Sequence, residues 1–227
     1  MILGDTKIAQ YVESGLLHIE PFDDKNVGPA SIDLTLGHVI KKATKNIASN
    51  PMVDNSDNYE EIDLFKKPFY LKPRETIQGY TREYVKLPST LAGNIHNRSS
   101  LARLGLDVAM SSFANPGYEG NLPLVISNFS SHPIQIIAGL RVCQLVLTEV
   151  NGVEKPYNVR EEAKYVGETG VVTSKIHLDK EINEFLRENG IESVTEDHIL
   201  LFQKSLFANL QGKTAKILDL FQKEVQL

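Results

Sequence analysis

Leu122-Pro123-Leu124-Val125-Ile126-Ser127, then Ile134-Gln135-Ile136-Ile137 and Arg141-Val142-Cys143-Gln144-Leu145-Val146-Leu147, form the stretch that decides the fold. Each run is short and rich in β-branched and apolar side chains. Each is closed by residues that turn the chain: Ser130-Ser131-His132-Pro133 after the first run and Ala138-Gly139 after the second. Short runs of this kind bounded by Gly, Pro, Asn and Ser read as strands, and several in succession read as an all-β barrel or sandwich. Working outward, the same texture holds from about residue 27 to 176. Ser31–Leu36, Phe69–Leu71, Thr76–Thr81, Leu91–Ile95 and Asp107–Met110 are further strand candidates, with Lys72-Pro73-Arg74 and Asn115-Pro116-Gly117 as turns. Residues 44–61 are polar and aperiodic and read as a long surface loop.

The period changes at both ends. Near the start, Asp5 or Thr6 is placed to cap a helix with Ile8, Tyr11, Val12 and Leu16 on its apolar face, Gly15 ending it and a short strand following. After residue 177, Ile182, Phe185 and Leu186 predict a short helix closed by Asn189-Gly190. Ile199, Phe202, Leu206, Leu210, Ile217, Leu218, Phe221 and Val225 then form an amphipathic stripe interrupted only by Gly212. A lone helix cannot bury its own stripe, so this one must pack on the barrel, on a neighbouring subunit or on another protein. The domain reading is residues 1–178 as the β domain and 179–227 as a helical extension.

Composition narrows the function classes. In 227 residues, 41% are apolar and 23% charged, enough for a real core. The 24 Lys+Arg against 29 Asp+Glu leave a net charge of -5, without the basic excess of a general nucleic-acid binder. The single Cys143 excludes an internal disulfide and a CxxC metal site. The six histidines are scattered and never at ligand spacing, which argues against zinc. The N-terminal stretch does not read as a signal peptide, and no apolar run approaches a membrane span, so a soluble cytoplasmic protein is expected.

Three clusters carry chemistry. In Asn97-Arg98-Ser99-Ser100-Leu101-Ala102-Arg103-Leu104-Gly105, two arginines bracket two serines. Guanidinium forks and hydroxyls suit phosphate oxygens, although a solvated helical turn reads the same way. Ala30-Ser31-Ile32-Asp33-Leu34 contains a carboxylate that needs a partner, and Asn115-Pro116-Gly117-Tyr118-Glu119-Gly120-Asn121 is a turn expected to expose backbone amides beside an aromatic ring.

Taken in order, Ser-Ile-Asp-Leu, Arg-Ser-Ser-Leu-Ala-Arg-Leu-Gly-Leu, Asn-Pro-Gly-Tyr-Glu-Gly and Arg-Val-Cys-Gln-Leu resemble the dCTP deaminase/dUTPase superfamily. The opening residues 1–24, and residues 156–165 followed by Gly170 and Ser174, are similar to the deaminase branch. The resemblance implies a distorted β-barrel of the dUTPase-like type, assembled as a homotrimer with sites between subunits. It implies a bound pyrimidine deoxynucleoside triphosphate (dCTP, dUTP or dTTP) with Mg²⁺ on the phosphates, and no zinc. By position, Arg98, Ser99, Ser100 and Arg103 would hold phosphates, with Ser99 and Arg103 helping to order the catalytic water. Asn115 would lie by the deoxyribose, Tyr118 under the sugar, and Tyr157 and Lys164 over the triphosphate.

The resemblance also exposes departures. It implies a proton-shuttling glutamate in the strand after the Pro-Gly turn, where this chain has Val125. Glu119 belongs to the turn and is no substitute. It implies an aspartate where Asn115 stands and a glutamine where Glu168 stands, and the segment from Arg103 to Asn115 is one residue short. An amide hydrogen-bonds a sugar hydroxyl but is not a base. Three readings stay open: a deaminase making dUTP or dUMP from dCTP, a dUTPase-like phosphohydrolase, and a nucleotide sensor or regulatory subunit whose C-terminal helices bind a partner protein.

Overall fold

The computed structural model describes residues 1–44, 48–108 and 113–225, with side chains described as far as residue 217. Thus Met110 and the side chains of Leu218, Phe221 and Val225 lie outside the described residues. The chain forms two compact units: Met1–Ile47 with Ser56–Thr173, and Ala48–Asn55 with Ser174–Leu227.

The first unit is antiparallel β, as the run texture predicts. Helix α1 (Asp5–Glu13) leads into strands β1 (His18–Glu20), β2 (Val27–Gly28), β3 (Ser31–Thr35), β4 (Val39–Ala43), β5 (Tyr59–Asp63), β6 (Phe69–Leu71), β7 (Thr76–Lys86) and β8 (Leu91–Asn97). A one-turn helix, α2 (Ser99–Ala102), precedes β9 (Leu106–Asp107), β10 (Phe113–Ala114), β11 (Glu119–Asn128), β12 (Ile134–Ile136) and β13 (Arg141–Glu149). Among the described residues these make three sheets rather than one closed barrel. One runs β5-β4-β7-β11-β9 with β1 beside β7, another β10-β8-β13-β3-β2, and the smallest pairs β12 with β6.

Alternation explains the core. Side chains two apart on a strand share a face, so Leu122, Leu124 and Ile126 of β11 point inward with Ile77 and Val85 of β7. They meet Leu34, Cys143, Leu145 and Leu147 of the other large sheet, and none of these side chains is more than 1% exposed. The two sheets are also tied by polar groups. The buried Glu83 carboxyl on β7 accepts the Thr35 N–H at 2.8 Å and the Thr35 hydroxyl at 2.6 Å, from β3.

Several local expectations need correcting. Gly4, not Asp5 or Thr6, is the N-cap of α1, while Asp5 accepts the Thr6 N–H from inside the helix. Leu16 is exposed and Leu17 buried, because Gly15 in the left-handed region (φ 71°) ends the helix one residue before the periodic pattern would. Residues 44–61 are not one loop. Tyr59–Asp63 is β5, paired with β4, and Met52 is buried in the second unit.

That second unit holds α3 (Lys180–Glu188) and α4 (Glu196–Val225). Ile182, Phe185 and Met52 form its small core, with Ile199 and Phe202 from the start of α4 packed against it. Phe185 and Phe202 meet edge to face at 5.2 Å. Gly190, at φ 60°, follows α3 as the Asn-Gly pair predicts. The helix runs unbroken through Gly212.

Candidate functional site

Strand β8 delivers the arginine cluster. Past Asn97 the chain turns into α2, leaving Ser99, Ser100 and Arg103 exposed, while Leu101 is buried and anchors the turn. Arg98 is held from behind. Its Nη2 lies 3.2 Å from Asp33 Oδ2, its Nη1 donates to the Arg141 carbonyl at 3.3 Å, and Arg141 Nη1 reaches the same Asp33 oxygen at 3.3 Å. The Ser-Ile-Asp-Leu and Arg-Ser-Ser blocks, 65 positions apart at Asp33 and Arg98, thus meet through one carboxylate carrying two guanidiniums. Arg141 received no role from the sequence. Only the β3–β13 pairing reveals it, since that register sets Arg141 opposite Thr35.

The turn from Asn115 to Tyr118 closes with the Tyr118 N–H on the Asn115 carbonyl at 2.9 Å, Gly117 taking φ 79°. The expectation that this turn exposes its backbone amides is corrected here, since those of Gly117 and Tyr118 are engaged. The Gly117 N–H points at the Pro88 carbonyl (3.4 Å), and Tyr118 is 8% exposed, its hydroxyl donating to the Asn121 carbonyl at 2.7 Å. Burial raises the Tyr118 pKa, and the nearby Glu168 adds to the shift, so the phenol stays protonated at neutral pH. Tyr157 stacks against Tyr118 at 6.2 Å between ring centres, and its N–H donates to the Pro116 carbonyl at 2.7 Å. Segment 156–159 therefore sits directly on the turn. Glu168 also comes to this turn, but through its backbone: its carbonyl accepts the Asn121 N–H at 3.0 Å. Lys164 is half-buried in the same segment. An open cleft of about 870 Å³ borders the turn, lined by Asn115, Pro116, Tyr157 and Arg160 among others.

The two halves are not adjacent within one chain. Ala114 pairs with Gly93 near the start of β8, whereas Arg98 follows its far end. The intervening strand separates Asn115 from Arg98 by about 20 Å at the rise of an extended chain.

Val125 lies on the outward-facing side of β11, opposite Gln78 of β7. Ser127 shares that face, hydrogen-bonds Thr76 at 2.8 Å and is paired with Asp107 of β9. Gln78 Oε1 is buried with no hydrogen-bond donor among the described residues. Sequence reading missed Gln78 and Asp107, because only the strand register places them beside Val125. Glu119 is already engaged: Tyr84 donates to it at 2.9 Å and Lys86 lies at 3.2 Å. Among the described residues no group of three or more His, Cys, Asp or Glu is arranged to hold a metal, and no helix is long and apolar enough to cross a membrane.

Comparison with known proteins adds to this geometry. A protein from Sulfurihydrogenibium sp. (strain YO3AOP1), named dCTP deaminase, dUMP-forming, is 38% identical over 187 residues, covering 80% of this chain and 100% of that one. A protein of the same name from Persephonella marina is 37% identical over 185 residues, with 80% and 100% covered. A Haloarcula marismortui protein named dCTP deaminase is 35% identical over 192 residues, with 80% and 97% covered. Among solved structures, the 2'-deoxycytidine 5'-triphosphate deaminase from Agrobacterium tumefaciens superposes with a TM-score of 0.52 at 26% identity, over 64% of this chain. The match spans 47% of that chain's length. A family model described as dCTP deaminase-like matches residues 2–150, and the chain belongs to that family.

Proposed function

We propose that this protein binds a pyrimidine deoxynucleoside triphosphate at a site completed between copies in a homotrimer, and that it deaminates dCTP slowly or not at all. The observation that carries this reading is Val125, an isopropyl group on the face of β11 where the family resemblance implies a glutamate. Deamination at the pyrimidine C4 needs water to lose a proton and ammonia to leave with one. A carboxylate can do both and valine neither. General acid–base catalysis is worth about 10²–10⁴-fold in rate.

The binding groups are intact. Arg98, Arg103, Ser99 and Ser100 offer donors to phosphate, Asn115 offers an amide to the sugar, and Tyr157 and Lys164 belong to the segment over the turn. Mg²⁺ would arrive on the triphosphate oxygens and neutralise part of their charge. The Asp33 oxygen nearest the arginines is already committed to two guanidiniums. The separation of Arg98 from Asn115 along β8 is longer than the reach from the sugar to the phosphates of one nucleotide, which supports a neighbouring copy supplying the missing half. Binding without turnover is the chemistry of a nucleotide sensor. Phosphohydrolysis is less well supported, because the Asn115 amide is not a base and cannot take a proton from the attacking water.

Incubation with each dNTP and Mg²⁺, with products separated by chromatography and affinity measured by calorimetry, tests the reading. Binding with little dUTP or dUMP formed is the expected result, and efficient conversion of dCTP overturns it. Arg103→Ala should cost about 1.5–3 kcal/mol of triphosphate binding, the worth of a hydrogen bond to a charged group.

A second reading rests on Asp107. It faces Ser127 across the β9–β11 ladder, two residues along the same face from Val125. Such diagonal neighbours lie about 7–8 Å apart. If Asp107 carries protons in place of the glutamate, any deamination seen in the wild type will vanish in Asp107→Asn while triphosphate affinity stays.

A further inference from the structure

We infer that Arg141 is a positioning residue of the triphosphate site: by sharing Asp33 with Arg98 it leaves Arg98 charged and available to phosphate, which rests on the reading of Arg98 as a phosphate ligand. Sheet order brings the three side chains together. Strand β13 lies between β8 and β3. Cys143 pairs with Asn97 of β8 on one side and with Leu34 of β3 on the other. Arg98, one residue past β8, therefore reaches across the start of β13 to touch Asp33 on β3. Arg141 belongs to the strand it crosses.

Both guanidiniums converge on a single atom, Asp33 Oδ2, at 3.2 Å from Arg98 Nη2 and 3.3 Å from Arg141 Nη1. The Asp33 side chain is only 12% exposed, so its carboxylate needs a cation beside it. Arg98 already meets that need. A second guanidinium on the same oxygen is surplus to it, and the Arg141 side chain is 47% exposed.

The surplus changes what Arg98 offers. One carboxylate and one guanidinium cancel, and left alone they favour a forked pair that uses two parallel N–H groups. Arg98 in that state would present a neutral ion pair to an incoming anion. With Arg141 present, two positive groups share one negative group, and a positive charge remains. Arg141 also competes for Oδ2. Arg98 touches Asp33 through Nη2, while its Nη1 donates to the Arg141 carbonyl at 3.3 Å. These contacts use two of the five N–H groups of a guanidinium. The exposed Ser99 and Ser100 follow directly in the chain, so hydroxyl donors stand next to the charge that Arg141 preserves.

Calorimetry of dCTP with Mg²⁺ on full-length variants tests this. Arg141→Leu should bind about tenfold or more weakly, the worth of a hydrogen bond to a charged group. Arg141→Lys keeps the charge and should stay nearer the wild type. The deciding protein is the double variant Asp33→Asn/Arg141→Leu. It removes one charge of each sign, returns the surplus to Arg98, and should recover affinity lost in Arg141→Leu. A double variant as weak as Arg141→Leu would overturn the inference, because an arginine that touches phosphate itself, or only braces the fold, gives no such rescue. Arg141→Lys as weak as Arg141→Leu would overturn it too, whether or not the double variant folds. Equal affinity of wild type and Arg141→Leu would overturn this role alone. A wild type that binds no dCTP would overturn the triphosphate site and this role with it.

Discussion

At Gly117 one hydrogen atom decides whether the turn can be covered. A Cβ there would lie 2.7 Å from both Asn158 Oδ1 and Pro156 Cβ, and the residue sits at φ 79°. The left-handed conformation alone costs a non-glycine residue about 1–2 kcal/mol. Gly117→Ala is therefore expected to lower stability by at least that much in denaturant titration. It should also lift segment 156–159 and weaken triphosphate binding. Thr35 is a second such position. Thr35→Val keeps the shape but removes the hydroxyl from the buried Glu83, and a donor lost from a buried acceptor costs about 1–3 kcal/mol. Cys143 behaves oppositely, as an inert group. Burial pushes its thiol up to about 12, with Glu83 and Asp33 adding to the shift, so it stays protonated at neutral pH. It should resist alkylation in the native protein and react on unfolding, with a labelling rate that reports global opening.

At the scale of the element, β11 does two jobs with two faces. Its inward face is core. Its outward face carries Val125 and Ser127, and its first residue, Glu119, is a charged anchor to β7. Hydrogen bonding from Tyr84, then from Lys86, holds the Glu119 carboxyl below the usual carboxylate range. Folding therefore favours the ionised form. The stabilisation is present above the unfolded carboxylate value of about 4.3 and is lost as pH falls through the lower folded value. The stability gap between wild type and Glu119→Gln should accordingly be constant near neutrality and shrink on acidification below that point. Equal slopes for the two proteins would remove Glu119 from the acid response. The strand also shows a register shift between Asn121 and Pro123, where proline has no N–H for the ladder.

At the scale of the molecule, the site is split by the length of β8, and assembly is what the proposed function requires of it. The protein should weigh about three times the 25.3 kDa chain by light scattering. A monomeric variant that still binds triphosphate would refute a site built between copies.

The sequence by itself determined most of the longer strands and where most of them turn. Period-two alternation and Gly/Pro punctuation are local properties, and runs such as Phe69–Leu71 and Ile134–Ile136 follow from them directly. It also marked the arginine cluster and the Pro-Gly turn, because these are contiguous motifs, and the family resemblance singled out the valine at 125. What it left open depended on pairing. Val39–Ala43 has too few apolar residues to announce itself and is a strand only because β5 and β7 supply its hydrogen bonds. Met52 looked like loop because its core lies more than a hundred residues ahead, at Ile182 and Phe185. Asp33 found its arginines, and Val125 its neighbours Gln78 and Asp107, through strand register. Register is fixed by the whole sheet burying one face, and a one-residue slip would turn every one of those side chains to the other side.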